Sequence, residues 1–391
     1  MLTHIHLTSF KCYDSLSLPL APLTLLTGFN AGGKSTALQG LLLPAQGLPP
    51  RGNHRGGAIS LNGPLVRLGT AGEILHSGSR EMSVSMENHD SRIKWTLKPR
   101  SQHGSIMDIT QVNIQENGTT YNYDQNDPLD ALMPVAHSHP LTQAMMQAIS
   151  ETVFLGALRY GTKDLFPSPD EAMIIHADVG VQGEFAPWWF LQSSDDPVDS
   201  ERCHPKEQKA SQLRRQFNTW AGELFPGAQA NTVPVPRTSA IRLELRIGEH
   251  GEWRRPANIG YGLTYAFPII VAGLLAKKGQ ILVIDSPEAH LHPMGQSRMG
   301  YFLASMAAAG VHILLETHSD HVLNGVRIAV KNRTINAHDV ALHFFQQSQT
   351  PLTSAAPVVS PSVDNQGNLS DWPIGFFDQT EKDLAHIAGW E

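Results

Sequence analysis

The stretch GFNAGGKST, Gly28 to Thr36, constrains this chain more than any other. A glycine, four residues and then Gly-Lys-Ser is the spacing of a loop whose backbone N–H groups wrap a phosphate chain. Gly28, Gly32 and Gly33 let the main chain wrap the anion, with Asn30 in the same binding loop; Lys34 reaches the β and γ phosphates, Ser35 offers a hydroxyl to Mg²⁺, and Thr36 completes the motif. The loop needs a strand before it and a helix after it, whose positive end faces the anion. Both are present, as LTLLTG and KSTALQGLLL. The chain is thereby committed to an α/β fold.

The rest of the sequence fits that commitment. After SAIRLELRI, helical and strand patterns alternate: helix near 263 to 276, strand 281 to 285, helix near 293 to 309, strand 311 to 316, helix near 319 to 331, strand 340 to 345. This is the rhythm of a mostly parallel sheet. The first strands, THIHLTSF and SLSLPL, alternate as antiparallel strands do, and two further meander strands meet at Asn117-Gly118, a hairpin turn signal. Residues 346 to 365 are rich in Gln, Ser, Thr and Pro and read as a linker.

Two strand ends carry chemistry. ILVID closes on Asp285, a carboxylate placed to hold Mg²⁺, and LLETHSDH brings His318 to the end of the next strand, where it can donate to a γ phosphate.

Composition narrows the class. The chain has 391 residues and a formal net charge of -7, against the basic surplus of a protein that coats nucleic acid. Two cysteines, Cys12 and Cys203, suit a reducing cytoplasm better than a disulfide framework. The apolar run YAFPIIVAGLLA contains Pro268 and is shorter than the ~20 residues a bilayer span needs. A cytoplasmic protein without a membrane segment is expected.

Taken together, the phosphate loop, the Asp285 strand and the His318 turn resemble, in their order, the ABC-type ATPase heads of the branch containing the SMC, RecF and OLD proteins. NIGYGLTYAFPII, 258 to 270, stands where that branch has its signature segment. PEAHLHP, ETHSDHVLNGVRIAV and the tail DWPIGFFDQTEKDL resemble one bacterial subfamily with a short C-terminal tail, often found in phage-defence gene sets. The resemblance implies ATP and Mg²⁺ as ligands, held by the loop residues with Ser35 and Asp285 on the metal. It also implies a homodimer or higher even-numbered oligomer, in which Gly260, Gly262 and Thr264 reach the other subunit's ATP, with His290 and His292 on the dimer-facing loop. A separately encoded effector is the implied partner. The fold expected is an ATPase head from residues 1-75 and 232-345, an inserted α+β lobe at 76-231, and a linker and tail at 346-391, without a long coiled coil. Too little chain follows His318 for the nuclease domain of OLD proteins, and the signature lacks the Ser-Gly-Gly core of transporters.

One departure decides the chemistry. Related heads place a glutamate, acting as general base, directly after the Mg²⁺ aspartate; here Ser286 stands there. Loss of such a base costs ~10² to 10⁴ in rate. The next carboxylate, Glu288, would lie about 10 Å beyond Asp285 in an extended chain, unless Pro287 turns it back. Either Glu288 is a displaced base and turnover is slow, or ATP is a latch. Slow hydrolysis is favoured, because Lys34, Ser35, Asp285 and His318 remain to stabilise transferred charge. Rival readings are a RecF-like DNA-binding repair ATPase and a scaffold with structural ATP. HSHP, 137 to 140, resembles the start of a zinc motif, but the acidic ligand is missing downstream, where Gln147 and Ser150 stand. Arg159 has two readings, one near the nucleotide and one as a surface arginine. The tail aromatics Trp372, Phe376 and Phe377 either dock a partner or pack on their own head.

Overall fold

From Leu23 to Thr27 every residue is buried, because the strand Leu23–Gly28 lies inside a parallel sheet covered on both faces. The computed structural model describes residues 1–52, 57–137, 140–346, 357–373 and 375–390. Across that sheet the order is Val153–Leu155, Ile281–Asp285, His312–Glu316, Leu23–Gly28, Val340–Phe345 and Val358–Val359, with only the last strand antiparallel. The strand ends at Gly28, Asp285 and Glu316 therefore emerge on the same edge of the sheet, which is where an α/β fold places its ligand.

Side chains alternate between two cores. Leu282, Ile284, Ile313 and Leu315 enter one, and Ile281, Val283 and Leu314 the other. Helices Tyr261–Leu275, Pro293–Ala308 and Asp320–Lys331 cover the first face. The phosphate-loop helix Lys34–Gly47 fills the second, backed by an antiparallel sheet in the order Tyr13–Pro19, His4–Phe10, Met82–Glu87, Ser91–Pro99, Ile106–Glu116, Ala58–Ser60. Thr119–Asp124 pairs with Ile106–Glu116 through Asn117 and Gly118, both at positive φ, as a tight hairpin requires.

The α/β architecture matches the expectation, with its mixed sheets, and the longest described helix, Pro293–Ala308, has 16 residues and is no coiled-coil arm. Among the described residues no helix is long and apolar enough to cross a membrane.

Residues 76–231, expected as an inserted lobe, are shared between layers. Met82–Glu87 pairs with His4–Phe10, and Val153–Leu155 pairs with Ile281–Asp285, so both belong to the sheets of the head. The α+β addition is the part from Leu165–Pro167 onward. That strand joins Ala228–Pro234 and Ala240–Ile247, and the helices Ala186–Ser193 and Leu213–Leu224 share the first core. An alternating strand shows that one of its faces is buried, but not which sheet buries it.

Of the expected linker, residues 347–356 lie outside the described residues. Beyond them the chain returns: Phe344 and Phe345 pair with Val359 and Val358. Phe376 is fully buried, its ring 5.0 Å from that of Phe344, so this part of the tail packs on its own head. Trp372 stays half-exposed over the guanidinium of Arg327.

Candidate functional site

The phosphate loop is built by close approach. Gly28 has φ 124°, and a Cβ there would stand 2.1 Å from the Phe345 carbonyl oxygen of the neighbouring strand. Gly33, at φ 105°, begins the helix, and a Cβ would meet the Tyr13 hydroxyl at 2.2 Å. Both positions demand glycine, for space and for backbone conformation. Between them Asn30 and Ala31 face outward, and the loop lines a cavity of about 420 Å³ with Lys11, Cys12, Lys34, Ser35, Thr36, Glu316 and His318.

Lys34 is buried and folded onto the loop, donating to the carbonyls of Phe29 at 2.7 Å and Gly28 at 3.1 Å. Burial pulls its ammonium below the usual lysine range, while Glu316 and Asp285 oppose that shift. The loop's own carbonyls thus hold the cation where a phosphate chain would take it up. Ser35 Oγ donates to Glu316 Oε1 at 3.1 Å.

Glu316 is a residue that sequence reasoning missed. It is the register partner of Asp285 on the adjacent parallel strand, so the two carboxylates leave the sheet side by side. Desolvation, then the charge of Asp285, pushes Glu316 up to about 7. The only signal was its place at the end of a strand, and strand pairing is invisible to a motif.

Ser286 and Glu288 lie in the turn that follows the Asp285 strand. Ser286 adopts φ 51°, a left-handed turn that reverses the chain straight after the strand. Its Oγ donates to Asp285 Oδ1 at 2.8 Å, so the serine orients that carboxylate. The turn brings Glu288 back to the neighbouring strand end, where its carboxylate accepts from Thr317 Oγ1 at 2.7 Å and the His318 backbone N–H at 2.8 Å. Glu288 is therefore beside the site, clamped to the switch turn.

His318 itself is exposed and lines two cavities. One is the phosphate cavity; the other, of about 480 Å³, lies between the loop and the tail, with Phe29, Phe377, Asp378 and Lys382 on its walls. Partial desolvation and then the Lys34 charge lower its pKa below the usual histidine value, which favours the neutral imidazole.

Arg159 is no surface residue. It is buried and donates to the carbonyls of Gly156, Asp285 and Ser286, the last at 2.7 Å. Burial drops its pKa to about 10, which leaves it charged at pH 7. It braces the turn that carries Ser286 and does not itself line the phosphate cavity.

The signature residues lie apart from this cavity. Gly260, at φ 100°, and Tyr261 are exposed at the start of the helix Tyr261–Leu275, and Gly262 is half-buried beside the His290 carbonyl. Thr264 is buried and its hydroxyl donates to the Tyr261 carbonyl, so it shapes the helix start rather than presenting a donor outward. His290 packs against the rings of Tyr261 and Tyr265, and His292 caps the helix Pro293–Ala308. Among the described residues no group of three or more His, Cys, Asp or Glu stands together as a metal cluster. Of the HSHP stretch, Ser138 and His139 lie outside the described residues.

Comparison with known proteins gives two partial family matches and a set of structural neighbours. Residues 190–324 match the model of an "AAA domain, putative AbiEii toxin, Type IV TA system", and residues 335–387 that of a "Protein of unknown function (DUF3696)". No curated protein matches the chain. Among solved structures, the Smc head domain with an extended coiled coil bound to the C-terminal domain of ScpA, from Pyrococcus furiosus, aligns over 99% of both chains at 12% identity with a TM-score of 0.50. The SmcHead bound to the C-winged helix domain of ScpA aligns over 92% of this chain and 97% of that one, at 15% identity and TM-score 0.48. The SMC head domain from Thermotoga maritima aligns over 92% and 98%, at 11% identity and TM-score 0.42. The chain thus has an α/β fold resembling that of SMC heads, and its residues 190–324 are similar to the AAA-domain model.

Proposed function

We propose that this chain is a slowly hydrolysing ABC-type ATPase that works as a nucleotide-gated regulator of a separately encoded effector, a nuclease or toxin, in anti-phage defence. The observation that carries the reading is the exchange at the Asp285 strand end. The residue in the base position binds Asp285, and the displaced glutamate is tied to the switch turn.

The residues fit Mg·ATP. Lys34 is held by two loop carbonyls that a phosphate would replace, and the buried Glu316 Oε2 has no hydrogen-bond partner among the described residues. Ser35 and Asp285 would hold Mg²⁺, which neutralises phosphate charge when bound. Lys34 then binds the β and γ phosphates, the loop N–H groups and the helix N-terminus hold the rest of the chain, and Ser286 keeps Asp285 in one orientation. His318, neutral, donates to the γ phosphate and senses its presence. Glu288 must hold its water while still bonded to Thr317 and His318, so proton removal is slow and coupled to the switch turn.

Two heads pairing head to tail would add Gly260 and Gly262 of each to the other's nucleotide. The exposed start of the helix Tyr261–Leu275 supports this, since a helix N-terminus attracts anions. ATP would shift the assembly only by binding one state more tightly. The description of the AAA family as a putative toxin of a Type IV system supports a defence role. The Pyrococcus furiosus head, bound to a domain of ScpA, is a precedent for a separate protein partner.

The test is steady-state hydrolysis, with particle size measured in parallel, for wild type and Lys34→Ala. The reading expects turnover ~10² to 10⁴ below that of a head with its base in place, with an ATP-dependent dimer that Lys34→Ala lacks. Strong stimulation by DNA, with steeply salt-dependent DNA binding, would favour the repair reading instead.

A further inference from the structure

We propose that Glu316 is a third protein group of the divalent-cation site, its Oε2 joining Ser35 and Asp285 in holding the metal that accompanies the nucleotide. This rests on the Mg·ATP reading of the site and deepens it.

Three observations carry the proposal. Parallel register sets Asp285 and Glu316 opposite one another at the ligand edge of the sheet. Glu316 Oε1 accepts from Ser35 Oγ, the hydroxyl expected on the metal, at 3.1 Å, and lies 3.9 Å from the Lys34 ammonium. Glu316 is 5% exposed, and its Oε2 is buried without any hydrogen-bond partner among the described residues.

A buried carboxylate oxygen without a donor is costly, and a second carboxylate beside it makes matters worse. Once nucleotide binds, Lys34 turns to the phosphates and its distant support of Glu316 weakens. A cation between Ser35, Asp285 and Glu316 resolves both problems. Mg²⁺ is suited to such a place, because it takes one or two carboxylates together with phosphate oxygens and water rather than an all-protein cage. A purely structural role, bracing Ser35, would use Oε1 alone, and an amide oxygen would serve it equally well.

That difference defines the experiment. Full-length wild type, Glu316→Gln and Glu316→Asp are titrated with Mn²⁺ in the presence of ADP, and free Mn²⁺ is followed by electron paramagnetic resonance. ADP affinity in EDTA is measured separately. Expected is a Mn²⁺ affinity ~10- to 100-fold weaker in Glu316→Gln, with ADP affinity in EDTA unchanged or tighter. Glu316→Asp, which keeps the charge but withdraws it by a methylene, falls between and covers the case in which the amide variant does not fold. Mn²⁺ affinity within twofold of wild type overturns the proposal, as does a loss that merely parallels weaker ADP binding in EDTA. Failure of wild type to bind ADP at all would instead overturn the nucleotide reading.

Discussion

The hydroxyl of Ser286 donates a 2.8 Å hydrogen bond to Oδ1 of Asp285, and the left-handed turn at Ser286 delivers Glu288 to Thr317 and His318. In the proposed site, the position expected to carry a base instead holds a clamp on the Asp285 carboxylate. The serine positions Asp285, and the glutamate links the Asp285 turn to the turn that carries His318.

Ser286→Ala removes that donor without changing charge. A hydrogen bond to a charged group contributes about 1.5 to 3 kcal/mol, so the Mg²⁺ concentration giving half-maximal hydrolysis is expected to rise ~10- to 100-fold. ATP affinity in EDTA should stay as it was. A Mg²⁺ titration of the hydrolysis rate checks this.

Arg159→Met leaves the carbonyls of Asp285 and Ser286 without their buried donor. The expected loss in chemical denaturation is about 3 kcal/mol. Arg159→Lys keeps the charge but not the planar fork, and should recover little of it.

Gly28→Ala forces a methyl to within 2.1 Å of the Phe345 carbonyl oxygen, at a φ that L residues avoid. A cost above about 3 kcal/mol and loss of any ATP-induced rise in Tm are expected in a thermal melt.

Phe376→Ala empties a fully buried ring position beside Phe344. It should cost about 3 to 5 kcal/mol. Phe29 also touches both Phe344 and the tail at Gly375, so ATP affinity should weaken as well. Unchanged stability would mean that the tail does not pack on its head in solution.

His312, fully buried at the start of the switch strand, has its pKa pushed down to about 3 by burial. The folded state then binds fewer protons than the unfolded state between pH 6.5 and 3. Stability from this group is present above 6.5 and lost as pH falls towards 3, by up to about 1.4 kcal/mol per pH unit. His312→Leu should flatten part of that slope in denaturation measured at several pH values.

What could be read in advance, and what could not, follows one line. The phosphate loop and the alternating elements after residue 258 are local patterns, and they appear where expected, with the strands 281–285 and 340–345 matching to the residue. The neighbourhood of Asp285 and Glu316 depends on register between strands, and the place of Met82–Glu87 on which strand it pairs with. Neither is written in a window of sequence. Thr264 shows a finer limit: the signature pattern marks the helix start, but only packing decides that its hydroxyl turns inward. Arg159 shows the same limit, since its burial comes from elements far apart in the chain.

Single-turnover ATP hydrolysis by wild type and Glu288→Gln, with dimerisation followed in parallel, tests the central claim most directly. The account predicts slow turnover in wild type, a further fall of at least tenfold in Glu288→Gln, and an ATP-dependent dimer in both. Equal rates in the two proteins, with ATP still bound and the dimer still formed, would contradict it and make ATP a latch.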